Sequence, residues 1–433
     1  MNVRVFSGII LKKGLPKEPS RLQLHNCACT KSHTHESPAN APYSRKPHPL
    51  KSTNKDDLDS NGDVGRMMEY VADPSLYELY TVIGKGCDEA VTITFTRYTP
   101  TGEIVAVKRV DLDHYPHDVS VLQNEIILSR QLHHENILPT RATFVTNNEI
   151  WSILPIMAYG SCKDLLHAYF GNGLSELAVA YIMRDVIQGI EYLHSKGIIH
   201  RGIKASHILL SADGHVSLTG IRNAYCMIKN GHRLRTVHEY PITCVSMLKW
   251  FSPEILAQNL TGYDTKSDIY SIGITACELA NGAEPFADMQ LTQMLMEKMH
   301  GTKPVLIDCT TIADLVGDDD NATQVAQDSG IDVDTAKSRA EVVDIASRRK
   351  FSQHFHNFVD VCLEKDPTQR PTASSLLNHS FFKHLKKRSC DFLPTLVQPV
   401  TPLRADMLQS ATPSPEDELV ADLQNINVDD WEF

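Results

Sequence analysis

Two glycines, a lysine and a glutamate in the first third of the chain have side chains suited to binding phosphate. The glycines of Ile83-Gly-Lys-Gly86 would let the backbone approach a phosphate closely, because they carry no side chain. Lys108 could neutralise phosphate charge, and Glu125 could form an ion pair with the lysine. Neither pair is specific alone, since two close glycines are more often a hairpin turn. The hypothesis therefore depends on the elements that would bring these residues together.

Apolar periodicity predicts strands around these residues and helices after residue 160. Alternating apolar residues predict strands at 80–83, 91–95, 104–107 and 150–154, and helical spacing predicts a helix over 122–132. Ser175 is a favourable N-cap, and the wide apolar face that follows it predicts a long buried helix. A strand-rich first lobe followed by a helical second lobe predicts an α+β, bilobal architecture.

Later motifs follow in the order and at the spacings of the protein-kinase family. His200-Arg-Gly-Ile-Lys-Ala-Ser-His207 resembles the catalytic loop H-R-D-L-K-x-x-N, and Ser252-Pro-Glu254 resembles A-P-E. Asp268-Ile-Tyr-Ser-Ile-Gly273 is similar to the central helix of the large lobe. Arg370 matches the arginine that pairs with the A-P-E glutamate. The resemblance covers residues 77–385 and implies a protein-kinase fold, in which Lys108 would bind nucleotide phosphates and pair with Glu125.

Three positions that phosphoryl transfer requires carry other residues in this chain. Gly202 replaces the aspartate of H-R-D, His207 replaces the metal-binding asparagine, and Gly220 replaces the aspartate of D-F-G. A small shift in alignment supplies no substitute, because the nearest aspartate, Asp213, lies in a predicted turn between two strands. The sequence therefore predicts a pseudokinase with no catalytic residue and no metal site.

The cations that remain still predict nucleotide binding. Arg222 and His207 would add positive charge near the phosphates, so ATP is expected to bind without magnesium, with Arg222 partly replacing the metal. Glu89 opposes this, because it brings charge and bulk to the position of the loop's third glycine. The predicted nucleotide-binding residues are Ile83, Gly84, Lys85, Gly86, Val91, Lys108, Glu125, Met157, His207 and Arg222.

The altered motifs together resemble those of the sterile-twenty-related adaptor (STRAD) pseudokinases. They include His200-Arg-Gly, Lys204-Ala-Ser-His-Ile208, Gly220-Ile-Arg222 and Lys266-Ser-Asp-Ile-Tyr270. The resemblance implies an ATP-bound, closed adaptor that binds and activates a liver kinase B-type serine/threonine kinase. It also implies an armadillo-like scaffold that captures the terminal Trp431, Glu432 and Phe433. Two alternatives remain: an atypical active kinase with an unusual metal site, and a scaffold that binds no nucleotide.

Composition limits the remaining function classes. A formal charge of -11 opposes general binding to nucleic acid or anionic membranes, and no apolar stretch has the length of a membrane span. Ten scattered cysteines are typical of a reduced compartment, so we expect a cytoplasmic protein, with the nucleus as a second location. Residues 1–70 are predicted to be a disordered leader. A flexible acidic insertion is predicted at 308–349 and a docking tail at 386–433.

Overall fold

Five antiparallel strands form the first lobe, in the spatial order β1-β2-β3-β5-β4. They are β1 (Tyr77–Gly86), β2 (Val91–Tyr98), β3 (Glu103–Asp111), β4 (Ala142–Thr146) and β5 (Glu149–Pro155). Val105 and Val107 on β3 are fully buried on one face of the sheet, and Lys108 therefore projects from the other face.

The computed structural model describes residues 70–86, 90–116, 118–240, 245–311, 339–385 and 388–404.

One helix, α1 (Val119–Gln131), accompanies this sheet. It begins after Asp118, whose side chain accepts a hydrogen bond from the Ser120 backbone N–H and so caps the helix. Leu122 and Leu128 are its buried residues, and Leu122 packs against Val110 of β3. The helix predicted over 122–132 is confirmed and begins three residues earlier than expected.

Helices dominate the second lobe. They are α2 (Cys162–Ala168), α3 (Glu176–Ser195), α4 (Pro253–Leu256), α5 (Lys266–Asn281), α6 (Leu291–His300), α7 (Arg339–Ser347), α8 (Gln353–Cys362), α9 (Ala373–Leu376) and α10 (Leu393–Leu396). Ser175 caps α3, as predicted, by accepting a hydrogen bond from the Ala178 N–H at 3.3 Å. Helix α5 is buried along nearly its whole length and is the centre of the lobe. None of the helices described is both long and apolar enough to span a membrane.

The second lobe also contains seven short strands among the described residues. They are β6 (Gly160–Ser161), β7 (Ile198–Ile199), β8 (Ile208–Leu210), β9 (Val216–Leu218), β10 (Tyr225–Cys226), β11 (Ile228–Lys229) and β12 (His232–Arg233). β8 and β9 form an antiparallel hairpin, and Gly214 has a φ of +77° in the turn between them. The turn predicted around Asp213 is therefore confirmed. The hairpin supports the turn that contains Gly220, which follows β9 directly.

The predicted pair between Arg370 and the A-P-E glutamate is present and buried. Arg370 donates two hydrogen bonds to Glu254, at 2.6 and 2.9 Å, and its side chain has no exposed surface. It also donates to the backbone carbonyl groups of Glu364, Lys365 and Lys266. A buried guanidinium needs such complete pairing, so this cluster joins α4, α5 and the segment after α8.

The folded region extends beyond 77–385 at both ends. Tyr70 is buried against Tyr98, and residues 388–404, which we call the terminal strap, pack on the large lobe. In the strap Phe392 stacks on Tyr181, Leu393 and Val397 are fully buried, and the Leu403 N–H donates to Ala158 O at 2.8 Å. The predicted tail boundary at 386 is therefore wrong for these residues. Sparse apolar residues among prolines gave no periodic signal there.

Both edges of the predicted insertion also belong to the folded lobe. Asp308 is fully buried and accepts hydrogen bonds from the Phe351 N–H at 2.8 Å and from His356 at 3.0 Å. The Cys309 N–H donates to Arg349 O, and α7 occupies residues 339–347 within the predicted insertion. The ends of the insertion therefore meet. Three predicted segments lie outside the described residues: the middle of the insertion (312–338), the leader up to residue 69, and the tail from residue 405.

Candidate functional site

The predicted pair of Lys108 and Glu125 meets between β3 and α1. Lys108 Nζ lies 2.5 Å from Glu125 Oε1, and the two side chains are 21% and 18% exposed. Register explains the approach, because Lys108 faces Ser152 across β3 and β5 on the side of the sheet where α1 packs. This ion pair is the arrangement that nucleotide-binding kinases use to position the lysine for phosphate.

Beside this pair an apolar cluster joins the two lobes at the end of β5. Ala106, Leu138 and Leu154 form its core, and Ile93, Ile156, Met157 and Leu209 pack against them. An apolar surface of this kind suits a flat heterocycle. Met157 lies in the cluster, but Val91 packs instead with Val110, Leu122 and Ile150. Ile93, two residues further along β2, is the residue that the sequence interpretation missed, because strand register is not visible in a single sequence.

The glycine-containing end of β1 lies opposite the start of β2. Gly86 pairs with Val91, and Lys85 pairs with Thr92. Ile83 is 39% exposed, and a Cβ added at Gly84 would make only an ordinary contact with Ile93. This strand end is open enough for a ligand to approach the backbone. Glu89 lies outside the described residues, as do Trp431, Glu432 and Phe433.

The three altered catalytic positions contact one another. His207 Nδ1 lies 2.5 Å from Gly202 O, so the imidazole N–H donates to the loop backbone. A Cβ added at Gly202 would lie 3.1 Å from Gly220 O, and one added at Gly220 would lie 2.4 Å from His207 Nδ1. The described residues therefore offer no carboxylate at the two aspartate positions of the family.

Asp268 holds the backbone of this loop in place although its side chains have changed. Its carboxylate, fully buried on α5, accepts the N–H groups of His200 and Arg201 at 2.8 and 2.9 Å. His194 lies 2.8 Å from the same carboxylate. The His194 and His200 neighbours hold the pKa of Asp268 below its usual value although burial opposes this. The loop geometry thus depends on Asp268 and not on residue 202.

His207 contributes no positive charge, contrary to the expectation from sequence. His207 is half-buried, and the desolvation of its ring, with Lys204 nearby, lowers its pKa to about 3. The imidazole is therefore neutral at physiological pH. Burial of a histidine cannot be read from its position in a motif, which is why the sequence interpretation failed here.

Two other cations lie at the site. Desolvation chiefly lowers the pKa of Lys204, and the charges of Lys163 and Arg222 lower it further. Lys204 also lies over the Trp250 ring, with Nζ 5.2 Å from the centroid. Arg222 follows Gly220 in a short 3₁₀ turn, Ile221–Asn223, and its charge also lowers the pKa of His207. Repulsion between neighbouring cations is relieved when an anion binds between them.

No group of three or more potential metal ligands among His, Cys, Asp and Glu occurs in the described parts of the chain.

The protein kinase domain family matches residues 77–382. STE20-related kinase adapter protein alpha from Bos taurus is 47% identical, over 85% of this chain and 100% of that protein. The human protein of the same name is 48% identical, over 85% of this chain and 86% of its own length.

A second group of relatives matches a similar share of the chain. Human STE20-related kinase adapter protein beta is 39% identical, over 83% of this chain and 87% of its own length. These relatives share the kinase fold with this chain and are named as adapters of kinases. With the Lys108–Glu125 pair and the three altered positions described above, the comparisons lead to one conclusion: the chain belongs to the STE20-related kinase adapter family of the protein-kinase fold.

Proposed function

We propose that this protein is a catalytically inactive pseudokinase and works as an allosteric adaptor. In this proposal it binds and activates a liver kinase B-type serine/threonine kinase in the cytoplasm, with the nucleus as a second location. An armadillo-like scaffold completes the complex through Trp431, Glu432 and Phe433. One observation carries the proposal: Gly202, His207 and Gly220 lie in contact with one another at the positions of three catalytic residues. The rest of the fold keeps the Lys108–Glu125 and Arg370–Glu254 pairs of a kinase.

Nucleotide binding without magnesium is the second part of the proposal. The apolar cluster around Met157 would hold the base, while Lys108, Lys204 and Arg222 would face the phosphates. Three cations suit a polyphosphate, and the two positions that would bind a metal ion carry glycine and a neutral histidine. ATP would supply no chemistry here; it would stabilise the closed arrangement of the two lobes.

An atypical active kinase is the alternative function. The retained Lys108–Glu125 pair favours it, since active kinases require that pair. It would still need a carboxylate to orient the substrate hydroxyl and a ligand for the metal. The described residues at positions 202, 207 and 220 supply neither. The adaptor function is therefore the better supported of the two.

A thermal-shift titration with ATP, with and without magnesium, tests the nucleotide proposal. We expect metal-independent stabilisation of the wild type, because cations of the chain neutralise the phosphates. Arg222→Ala should weaken ATP binding about ten-fold or more, since a charged hydrogen bond to phosphate contributes about 1.5–3 kcal/mol.

Two control variants sharpen that titration. Arg222→Lys retains the charge and should retain part of the affinity, and Arg97→Ala removes an exposed cation from β2 and should change nothing. Stabilisation that requires magnesium would favour the active-kinase alternative. No stabilisation at all would favour a scaffold that binds no nucleotide.

Deletion of residues 431–433 tests the partner proposal. We expect loss of binding to the armadillo-like scaffold in a pull-down, with an unchanged melting temperature. Trp431→Ala alone should weaken scaffold binding by on the order of 2 kcal/mol, as expected for an aromatic anchor in a pocket. Wild-type affinity of the deleted protein would show that the scaffold binds elsewhere. A large drop in melting temperature without any partner would indicate a tail that docks on its own domain.

A further inference from the structure

The two glycines that replace catalytic aspartates have different surroundings. A Cβ added at Gly202 would meet Gly220 O at 3.1 Å and the His200 ring at 3.3 Å, which small shifts can accommodate. A Cβ added at Gly220 would lie 2.4, 2.7 and 2.8 Å from three atoms of the His207 ring. Carbon atoms do not approach a ring that closely, so position 220 is closed to any side chain while His207 is in place.

The His207 ring cannot easily move aside. Its Nδ1 donates to Gly202 O at 2.5 Å, which fixes the ring from one side. Its backbone is fixed as well, because His207 O accepts the Thr219 N–H at 2.8 Å and His207 N donates to Lys204 O at 2.9 Å. The imidazole therefore bonds within the catalytic loop and lies against Gly220, while the backbone hydrogen bond between His207 and Thr219 connects the loop to the turn that contains Gly220. In active kinases a metal ion held by the corresponding residues connects these two segments.

We propose that the His207 ring packs between these segments in place of the metal ion, and that it excludes a metal-binding carboxylate from position 220. The two changes are therefore coupled: an aspartate can return at position 220 only after residue 207 has changed. This inference deepens the proposed metal-free nucleotide site. It rests on the proposed function only for the nucleotide measurement below, and the stability measurement is independent of any ligand.

The first experiment is a double-mutant cycle in melting temperature with Gly220→Ala, His207→Ala and their combination. Gly220→Ala should lower the melting temperature by about 2–5 °C, because the added methyl group overpacks the site and the backbone is strained. His207→Ala removes all three ring atoms that the new Cβ would meet. The double variant should therefore be more stable than the sum of the single effects predicts.

Gly231→Ala is the matched control for backbone strain. Gly231 has a φ of +77°, close to the +86° of Gly220, but no atom lies within 4 Å of an added Cβ. Its substitution should lower the melting temperature much less. An effect of Gly220→Ala no larger than that of Gly231→Ala would overturn the proposal. So would strict additivity in the cycle, or failure of both Gly220→Ala and the double variant to fold.

The second experiment asks whether release of the ring opens the site to a metal ion. ATP should stabilise the His207→Ala/Gly220→Asp variant more with magnesium than without, whereas the wild type and Gly220→Asp alone should show no such gain. A magnesium-dependent gain in Gly220→Asp alone, or none in the double variant, would contradict the exclusion of the carboxylate by the His207 ring. If ATP stabilises no protein in the set, the nucleotide proposal fails, and the cycle in melting temperature still decides whether His207 excludes the side chain.

Discussion

Two neighbouring parts of the large lobe differ in how far they retain the side chains of an active kinase. Around Arg370 the expected residues are present, with a bidentate pair to Glu254 at 2.6 and 2.9 Å. At the proposed phosphate site, by contrast, Gly202, His207 and Gly220 stand where the motifs of active kinases predict two aspartates and an asparagine. Yet the backbone of that site is as well ordered by hydrogen bonds, through Asp268 and through His207 itself.

The difference separates two tasks that an active kinase performs with one structure. The Arg370 cluster and Asp268 position the chain, and this task serves an adaptor as much as an enzyme. The altered residues would have bound a metal ion and oriented a hydroxyl group, and only an enzyme needs those. A surface shaped like that of an active kinase can therefore persist without the chemistry, which is what the proposed adaptor function requires.

The largest effect is expected from the Arg370 cluster. Arg370→Met should lower the free energy of unfolding by about 3–5 kcal/mol, because it leaves the buried Glu254 carboxylate without its partner. Chemical denaturation measures this. Arg348→Ala is the control, since that arginine pairs with Asp344 at an exposed site of α7 and should contribute about 0.5 kcal/mol or less. Similar losses of unfolding free energy in the two variants would show that the buried Arg370 pair stabilises the fold no more than an exposed ion pair does.

A smaller effect is expected where the frame meets the phosphate site. Glu278 on α5 accepts the Ala205 N–H at 3.0 Å and Trp250 Nε1–H at 2.9 Å, and it is almost fully buried. Burial raises the pKa of Glu278 from 4.5 to about 7. The folded state therefore favours the protonated carboxyl group. Its contribution to stability is complete below pH 4.5 and is lost as the pH rises to about 7.

Glu278→Gln tests this contribution, since glutamine accepts the same hydrogen bonds but does not titrate. Relative to the wild type, the variant should gain stability between pH 5 and 8, by on the order of 3 kcal/mol over the full range of the shift. Denaturant unfolding of both proteins at several pH values provides the comparison. A difference in unfolding free energy that does not change with pH would contradict the buried, raised-pKa state of Glu278.

The secondary structure and the buried Arg370 pair could be predicted from sequence far better than the arrangement of the proposed phosphate site. Four of the five strands of the first lobe, β1, β2, β3 and β5, follow from local patterns, as does α3 with its Ser175 cap. The Arg370–Glu254 pair follows from motif order, whereas β4 was not predicted. The roles of Ile93 and His207 follow from neither local patterns nor motif order. Which β2 residue joins the apolar cluster around Leu154 depends on strand register, and the neutral state of His207 depends on its desolvation by residues distant in sequence.

The terminal strap shows a second limit of sequence interpretation. Its apolar residues are few and lie among prolines, a composition typical of a disordered tail. In the structure Leu393 and Val397 are fully buried because the strap crosses α3 and the β8–β9 turn. Only the tertiary surface beneath it, which no local pattern describes, determines that this segment is ordered.

The most direct test of the central claim is a phosphoryl-transfer assay with radiolabelled ATP and magnesium or manganese. It would use the purified wild type and the Lys108→Met variant, with and without a generic protein substrate. We predict no incorporation into either protein or substrate, because no carboxylate stands at positions 202 and 220. Label that persists in Lys108→Met would come from a contaminating kinase. Label that the wild type incorporates and Lys108→Met does not would contradict the account.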